Sequence, residues 1–319
     1  MAQATFGSPI KKVYGETVNL TTTAAHLLVR PGYHEVMFYC ASAWRYGLAP
    51  RLSVVKLYST TYTDYTSQAI DRDAATHVPL DAMTTAKKLY LGVTEPTRGF
   101  YFNLDGTNKN AIAASLDWEY CYDISGYTSN APFLKLTGTV SAALTVGETV
   151  TGQTSGTTAT HVYDDGSTYI IVKDVSGPGF KIDEDVDGAA QTCDDLTAST
   201  PVARGTAYFT DVADDSDGTL TGTETLSQSG LYAFTLPAVK RGAITGISNE
   251  PLYWYRFAPS ATLSAAIDVI DLIPACDTVN YAYMEGGTPY QHSINNAQVG
   301  AFEFDHTGTG TLNVSWIQH

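Results

Sequence analysis

The sequence predicts an all-β protein, an antiparallel β-sandwich core of jelly-roll or Ig-like type that carries a small inserted β domain. Three observations predict it. The composition holds 21 Tyr and 27 Gly but only 4 Met, and with Glu, Lys and Leu sparse it favours strands and turns over long helices. Short runs of alternating apolar and polar residues follow one another, which is the two-residue period of a half-buried strand. Turn-forming residues separate these runs, and one segment of different texture interrupts them.

Taken in order, residues 1–30 are weakly patterned and read as an N-terminal arm, with Lys11 and Lys12 available to lie on a neighbouring subunit. Strands are expected at HLLVR (26–30), HEVMFYC (34–40), LSVVKLY (52–58), KLYLGV (88–93), GFYFNL (99–104) and SLDWEYCY (115–122). Pro31-Gly32 and Asp105-Gly106-Thr107 supply turns between them. Aromatic strands resume at TAYFTDV (206–212), GLYAFTL (230–236), PLYWYRF (251–257), DVIDLI (268–273), GAFEFDH (300–306) and TLNVSWI (311–317). The sandwich core is therefore discontinuous, 31–133 and 204–319, with 134–203 as an inserted small β module.

Inside the module, Thr, Gly, Ser and Asp replace the aromatics. The phrase VGETVTG (146–152) returns in altered form as IDEDVDG (182–188). In each, two branched apolar residues, Val146 and Val150 or Ile182 and Val186, are expected to face one way. Between the phrases, THVYDDGSTYIIV (160–172) centres on Asp165-Gly166, the signal of a hairpin with a two-residue type I′ turn.

Charge narrows the function classes. The chain has 33 acidic and 18 basic side chains and a formal net charge of −15, a balance that repels phosphate backbones, so no nucleic-acid partner is expected. Met1 leads into AQATFGSPIKK without an apolar stretch, and no run reaches the length of a membrane span. The expectation is a soluble protein without a membrane partner. The four cysteines, Cys40, Cys121, Cys193 and Cys276, form no paired spacing that suggests zinc and read as buried free thiols.

No catalytic residue, cofactor or metal ligand is assigned, and the chain is read as a non-enzyme. The strongest metal candidate is ADDSDGTLTGTE (213–224), which places Asp215, Asp217, Gly218 and Glu224 at positions of a calcium loop but has Ala213 at its first position. Other carboxylates cluster at Asp183, Glu184, Asp185 and Asp187, and at Asp164 with Asp165. The histidines, His26, His34, His77, His161, His292, His306 and His319, show no metal spacing, and no GxSxG nucleophile turn occurs. For binding, the aromatic candidates are Tyr58, Tyr62 and Tyr65 in LYSTTYTDY, and Tyr253, Trp254 and Tyr255 beside Arg256 in LYWYRF, with Trp254 expected in the core.

Several phrases together carry a resemblance. PGYHEVMFYCASAWRYGLAPRLSVVKLYSTTYTDYT (31–66), LDAMTTAKKLYLGVTEPTRGFYFNLDG (80–106) and LDWEYCYD (116–123), followed by DGT (217–219), GLYAFTLP (230–237) and LYWYR (252–256), resemble virion structural proteins of tailed bacteriophages. The resemblance covers 30–130 and 205–275, and the 134–203 module departs from it. VGETVTGQTSGTTA is similar to a short β element that recurs in phage head and tail proteins. The resemblance implies a capsid decoration or cement protein in a virion assembled in the host cytoplasm. Its implied partners are a major capsid protein or tail proteins and further copies of itself as a homo-oligomer. A tail, baseplate or fibre component that binds host surface glycans is the alternative, and a glycan-degrading enzyme using Glu184 stands third.

Overall fold

A computed structural model describes residues 12–20, 25–29, 33–71, 73, 75–129, 131–276, 281–294, 299–306 and 308–318. Lys11, the Pro31-Gly32 turn and His319 lie outside the described residues. The described chain is all-β, with antiparallel strand pairing throughout its sheets and no helix. The opening strands are β1 (Lys12–Leu20), β2 (Ala25–Leu28), β3 (Glu35–Cys40), β4 (Trp44–Pro50), β5 (Leu52–Tyr58), β6 (Tyr62–Asp64), β7 (Val78–Pro79), β8 (Lys88–Val93), β9 (Gly99–Leu104) and β10 (Leu116–Ile124). Next come β11 (Leu134–Val140), β12 (Thr149–Gly152), β13 (Thr158–Asp164), β14 (Tyr169–Ser176), β15 (Val186–Asp187) and β16 (Thr192–Pro201). The remainder are β17 (Ala207–Asp211), β18 (Asp214–Asp217), β19 (Gly230–Phe234), β20 (Arg241–Ile244), β21 (Ser248–Pro259), β22 (Asp268–Pro274), β23 (Ala282–Met284), β24 (Tyr290–Ser293), β25 (Val299–Asp305) and β26 (Gly310–Gln318).

Every strand expected from the aromatic runs is present. The alternation did not reveal β1, β4, β6, β7, β11, β16, β18, β20, β23 or β24, which are short, exposed or punctuated by glycine and proline. In β4 the glycine is a packing requirement: a Cβ on Gly47 would lie 2.2 Å from the Cys276 sulfur.

The chain divides into two compact units, Met1–Asp117 with Ala213–Pro237 and Phe257–His319, and Trp118–Val212 with Ala238–Arg256. In the first unit, two four-stranded sheets of order β1-β26-β3-β24 and β2-β25-β4-β23 enclose one core. Alternation puts Val36, Phe38 and Cys40 of β3, Phe302 and Phe304 of β25, and Leu312, Val314 and Trp316 of β26 into that core. Phe38 meets Trp44, Phe302 and Phe304 edge-on at ring separations of 5.7, 5.0 and 5.4 Å. Within the segment read as an N-terminal arm, β1 pairs with β26 from Lys12↔Gln318 to Leu20↔Gly310, and β2 pairs with β25.

The same unit holds a five-stranded sheet, β18-β19-β9-β22-β7. Phe100 and Phe102 of β9 point to one face, against Phe234 at 6.3 Å and Phe257 at 6.0 Å respectively. Tyr101 points to the other, where its ring meets that of His26 at 4.8 Å and a tilt of 40°. Strands β6, β5 and β8 form a further antiparallel run.

In the second unit, β11-β14-β13-β12-β15-β16 close into a barrel around Leu136, Val150, Ile170, Val172, Val186, Cys193 and Leu196. The barrel interlocks two arcs of the chain, β11-β12-β13 and β14-β15-β16, each consecutive in sequence, with β11 seated between β14 and β16. β12 meets β15 at Thr151↔Asp187, β13 pairs with β12 as β16 pairs with β15, and β14 pairs with β13 as β11 pairs with β16. The two related phrases occupy equivalent places in these arcs. Each contains a left-handed residue, Gly147 (φ 89°) and Asp183 (φ 61°), immediately before its glutamate. That reversal corrects the expected facing of the apolar pairs: Val150 and Val186 are fully buried, but Ile182 is 54% exposed because the chain turns before the strand begins.

The Asp165-Gly166 hairpin is present as β13 and β14, with a longer connection than a two-residue turn. Only Gly166 is left-handed (φ 67°), and a type I′ turn needs two such residues. The Asp165 carboxylate instead accepts the backbone N–H groups of Ser167, Thr168 and Tyr169 at 3.0, 2.7 and 3.0 Å and closes the loop itself.

Candidate functional site

The register of β5, β6 and β8 gathers side chains that are scattered in sequence. Tyr58 stands opposite Tyr62 on β6 and Lys88 on β8, while Lys56 stands opposite Asp64 and Tyr90. Because side chains alternate along a strand, these six share one face. Val55, Leu89 and Leu91, on the opposite face, are fully buried. The Tyr58 and Tyr62 rings lie 4.9 Å apart at 47°, and Tyr62 meets Tyr90 at 5.5 Å and 77°, forming a stepped aromatic corner. Tyr62 is 37% exposed. Lys56 approaches Asp64 at 3.8 Å. Partial burial pushes the Asp64 carboxyl up, and hydrogen bonds from Thr66 together with the Lys56 charge outweigh it, so it is lowered overall.

Of the three tyrosines singled out from LYSTTYTDY, Tyr58 and Tyr62 come together and Tyr65 does not. Tyr65 follows the strand, where its N–H binds the Val55 carbonyl at 2.9 Å. Tyr90, Lys56 and Lys88 were missed because only cross-strand pairing brings them to the face. In LYWYRF, Trp254 is in the core as expected, with its indole N–H on the Gly242 carbonyl at 2.7 Å, but Tyr255 is fully buried too. Arg256 makes a two-pronged contact with Glu119 at 2.8 and 2.7 Å and lies 4.0 Å over the Phe209 ring, so its charge is already satisfied.

Two carboxylates of 182–188, Glu184 and Asp185, serve the barrel. Glu184 is 2% exposed and accepts the N–H groups of Thr154 and Ser155 at 3.1 and 2.8 Å, the Ser155 hydroxyl at 3.0 Å and the Lys181 N–H. Burial raises its carboxyl, and these donors lower it further than burial raises it, so the group is held ionised. Glu148, its counterpart in the first phrase, accepts the N–H groups of Thr145 and Ala189 at 2.9 and 3.1 Å. Each glutamate thus clamps its own turn and reaches across to the other phrase. Asp185 accepts from the Asp195 N–H at 3.0 Å, and Asp164 from Leu144 and Gly166 at 3.0 and 2.9 Å, with His161 Nε2 3.2 Å away.

In 213–224, the Asp217 carboxylate takes the Thr219 N–H at 2.8 Å and the hydroxyls of Thr219 and Thr225 at 2.5 and 2.6 Å, while Asp214 receives the Tyr232 hydroxyl at 2.9 Å. These contacts build a turn between β18 and β19. Among the described residues, no group of three or more His, Cys, Asp or Glu side chains is placed to hold a metal. All four cysteines are buried and free, and burial, foremost, pushes the Cys193 thiol up to about 11.

Two constellations escaped the sequence. Ser42 Oγ lies 2.9 Å from His306 Nε2, a spacing suited to a nucleophile and its base. However, the Gly308 N–H donates to His306 Nδ1 at 2.9 Å, which leaves the proton of the neutral ring on Nε2. His306 therefore donates to Ser42, the reverse of what activation requires. The second constellation centres on fully buried Glu303 of β25. It accepts from Arg98 Nη2 at 3.1 Å, the Cys276 N–H at 2.9 Å and the Tyr281 hydroxyl, with His26 Nε2 3.6 Å away. Burial pushes the Glu303 carboxyl up, and His26, Tyr281 and the Cys276 amide more than offset this, bringing it down to about 2. Chain-distant segments meet at this one carboxylate.

No family model matches the chain, nor does any curated protein or solved structure.

Proposed function

We propose that this protein is a non-catalytic structural subunit of a tailed-bacteriophage virion, acting as a capsid decoration or cement protein through contacts with the major capsid protein and with further copies of itself. One observation carries the reading. The sheets β1-β26-β3-β24 and β2-β25-β4-β23 combine strands from both parts of the chain in an alternating order. This order supports an eight-stranded jelly roll, an architecture recurrent in viral capsid domains. The phage-like strand phrases and the net charge of −15, which disfavours contact with packaged nucleic acid, point the same way.

Edge strand β1 adds a means of assembly. It is nine residues long, contains no proline, ends its sheet among the described strands, and exposes Val13 (56%) and Tyr14 (40%). Such an edge is a template for a neighbouring chain. The tyrosine face favours a second reading, a tail, baseplate or fibre component that contacts host glycans. The deciding measurement is location and copy number on labelled particles from the parent virus. Hundreds of copies over the head are expected. A handful at the tail would replace the decoration role with the second reading, and absence from purified particles would overturn both.

A further inference from the structure

We infer that β1 is a dimerisation edge, pairing antiparallel with β1 of a second copy across a two-fold axis so that the β1-β26-β3-β24 sheets of the two copies become one continuous sheet. The inference rests on the reading of β1 as an assembly strand and adds to it the partner and the register.

A sheet edge invites pairing with other chains, and folded proteins blunt it with short strands, bulges, prolines or charges. Among the described strands, the other sheet edges are blunted in these ways. β2 and β24 have four residues, β6 and β23 three, and β7 two, the last being Pro79. β18 has four residues, three of them aspartates, and its register against β19 shifts between Asp214 and Ser216. β17 has five residues, and its pairing with β10 shifts between Cys121 and Asp123. In contrast, β1 is nine residues long and pairs with β26 from Lys12↔Gln318 to Leu20↔Gly310 without a shift. Residues 13–20 contain no proline and a single charged side chain, Glu16, whose carboxylate accepts the Trp316 indole N–H and is thereby held within its own sheet. The devices that blunt the other edges are missing from this one.

Charge and symmetry select a second copy as the occupant. At a net charge of −15, two copies repel over most of their surfaces and approach most easily along a strand whose one carboxylate is already engaged. A two-fold pair also consumes both edges, so association closes at the dimer instead of running on as a fibre. Avoidance of like charges sets the register. An axis centred on Glu16 puts two carboxylates directly opposite each other, whereas one centred on Thr17 puts Thr17 against Thr17, a favourable cross-strand pair, and Glu16 against Val18.

The test uses the purified full chain in sedimentation velocity over a series of concentrations and ionic strengths. A reversible dimer is expected, tightening as added salt screens the mutual repulsion. Thr17→Lys sets two ammonium groups opposite each other at the axis and should weaken the dimer by tenfold or more, with a thermal melt close to that of the parent protein. Asn313→Lys puts the same charge on the exposed β26 residue that pairs with Thr17 inside the chain, one strand back from the edge, and should weaken the dimer far less. Thr17→Cys should form an interchain disulfide under mild oxidation, because directly opposed strand residues lie at a Cα separation that a disulfide spans. The parent chain, whose four cysteines are buried, should not. A chain that stays monomeric at every concentration, a dimer that Thr17→Lys leaves intact, or a Thr17→Cys chain that crosslinks to a different protein but not to itself would overturn the inference. A solution dimer of a protein absent from purified particles would keep this inference and remove the virion role, and a monomer present in many copies over the head would do the reverse.

Discussion

Glu303 shows how much one buried carboxylate can organise. It joins His26 near the start of the chain, Arg98 ahead of β9, and Cys276 and Tyr281 near the close, all without an exposed atom of its own. Its folded-state value of about 2 lies below the ordinary 4.5, so its contribution to stability is complete above about pH 4.5 and is lost as pH falls toward 2. Glu303→Gln should lower stability at pH 7 by about 3 kcal/mol and flatten the fall in melting temperature between pH 5 and 2.5. A variant melting curve with the parent's full acid dependence would locate that dependence in other carboxylates. Nothing in the sequence around Glu303 separates it from any other glutamate in an alternating strand, since its partners come from the tertiary fold.

At the scale of elements, the barrel explains why the chain writes one phrase twice. The repeat is visible in VGETVTG and IDEDVDG, and so is the period-two pattern of the flanking arms. The crossing of the clamps is not, because it depends on β12 and β15 lying side by side. The glycine that closes each phrase leaves room for the glutamate of the other: a Cβ on Gly152 would lie 2.8 Å from Glu184 Oε2, and one on Gly188 would lie 2.6 Å from Glu148 Oε1. Glu184 receives more donors than Glu148 and is the more buried, so Glu184→Gln should cost about 2–3 kcal/mol and Glu148→Gln about 1 kcal/mol, since an amide nitrogen would be forced against backbone N–H groups. Urea denaturation of the two variants checks the order. Equal costs would mean that the clamps are interchangeable. The Asp183 to Asp187 carboxylates drew attention as a possible catalytic cluster for the same reason that the repeat was legible: composition marks acidic residues but not the donors that occupy them.

For the whole molecule, the relation of the barrel to its own unit decides what an excision should do. The sequence marks 134–203 as an inserted module, and an insertion invites removal with its ends joined by a turn. In the second unit, however, Lys173 of β14 binds fully buried Asp123 of β10 at 2.6 Å, and Val162 and Ile171 pack with Phe133 and Tyr208. Removal uncovers Phe133 and Tyr208 and strips Asp123 of its lysine. The deletion variant should therefore melt well below the parent protein, and adding Asp123→Asn and Tyr208→Thr should recover part of the loss. An unchanged melting temperature in the simple deletion would show that the barrel contributes nothing to the strands beside it.

The all-β class, the positions of the aromatic strands, the burial of Trp254 and of the four cysteines, and the repeated phrase were determined by the sequence alone, because strand period, turn chemistry and the aversion of apolar groups for water act over a few residues. Only the tertiary structure decided that Tyr58 and Tyr62 meet Tyr90 while Tyr65 turns away, that His306 donates to Ser42, and that Glu148 and Glu184 serve as clamps. These outcomes depend on register and on backbone donors from distant segments, and a one-residue change in pairing would move every side chain to the other face without altering the pattern of any single strand.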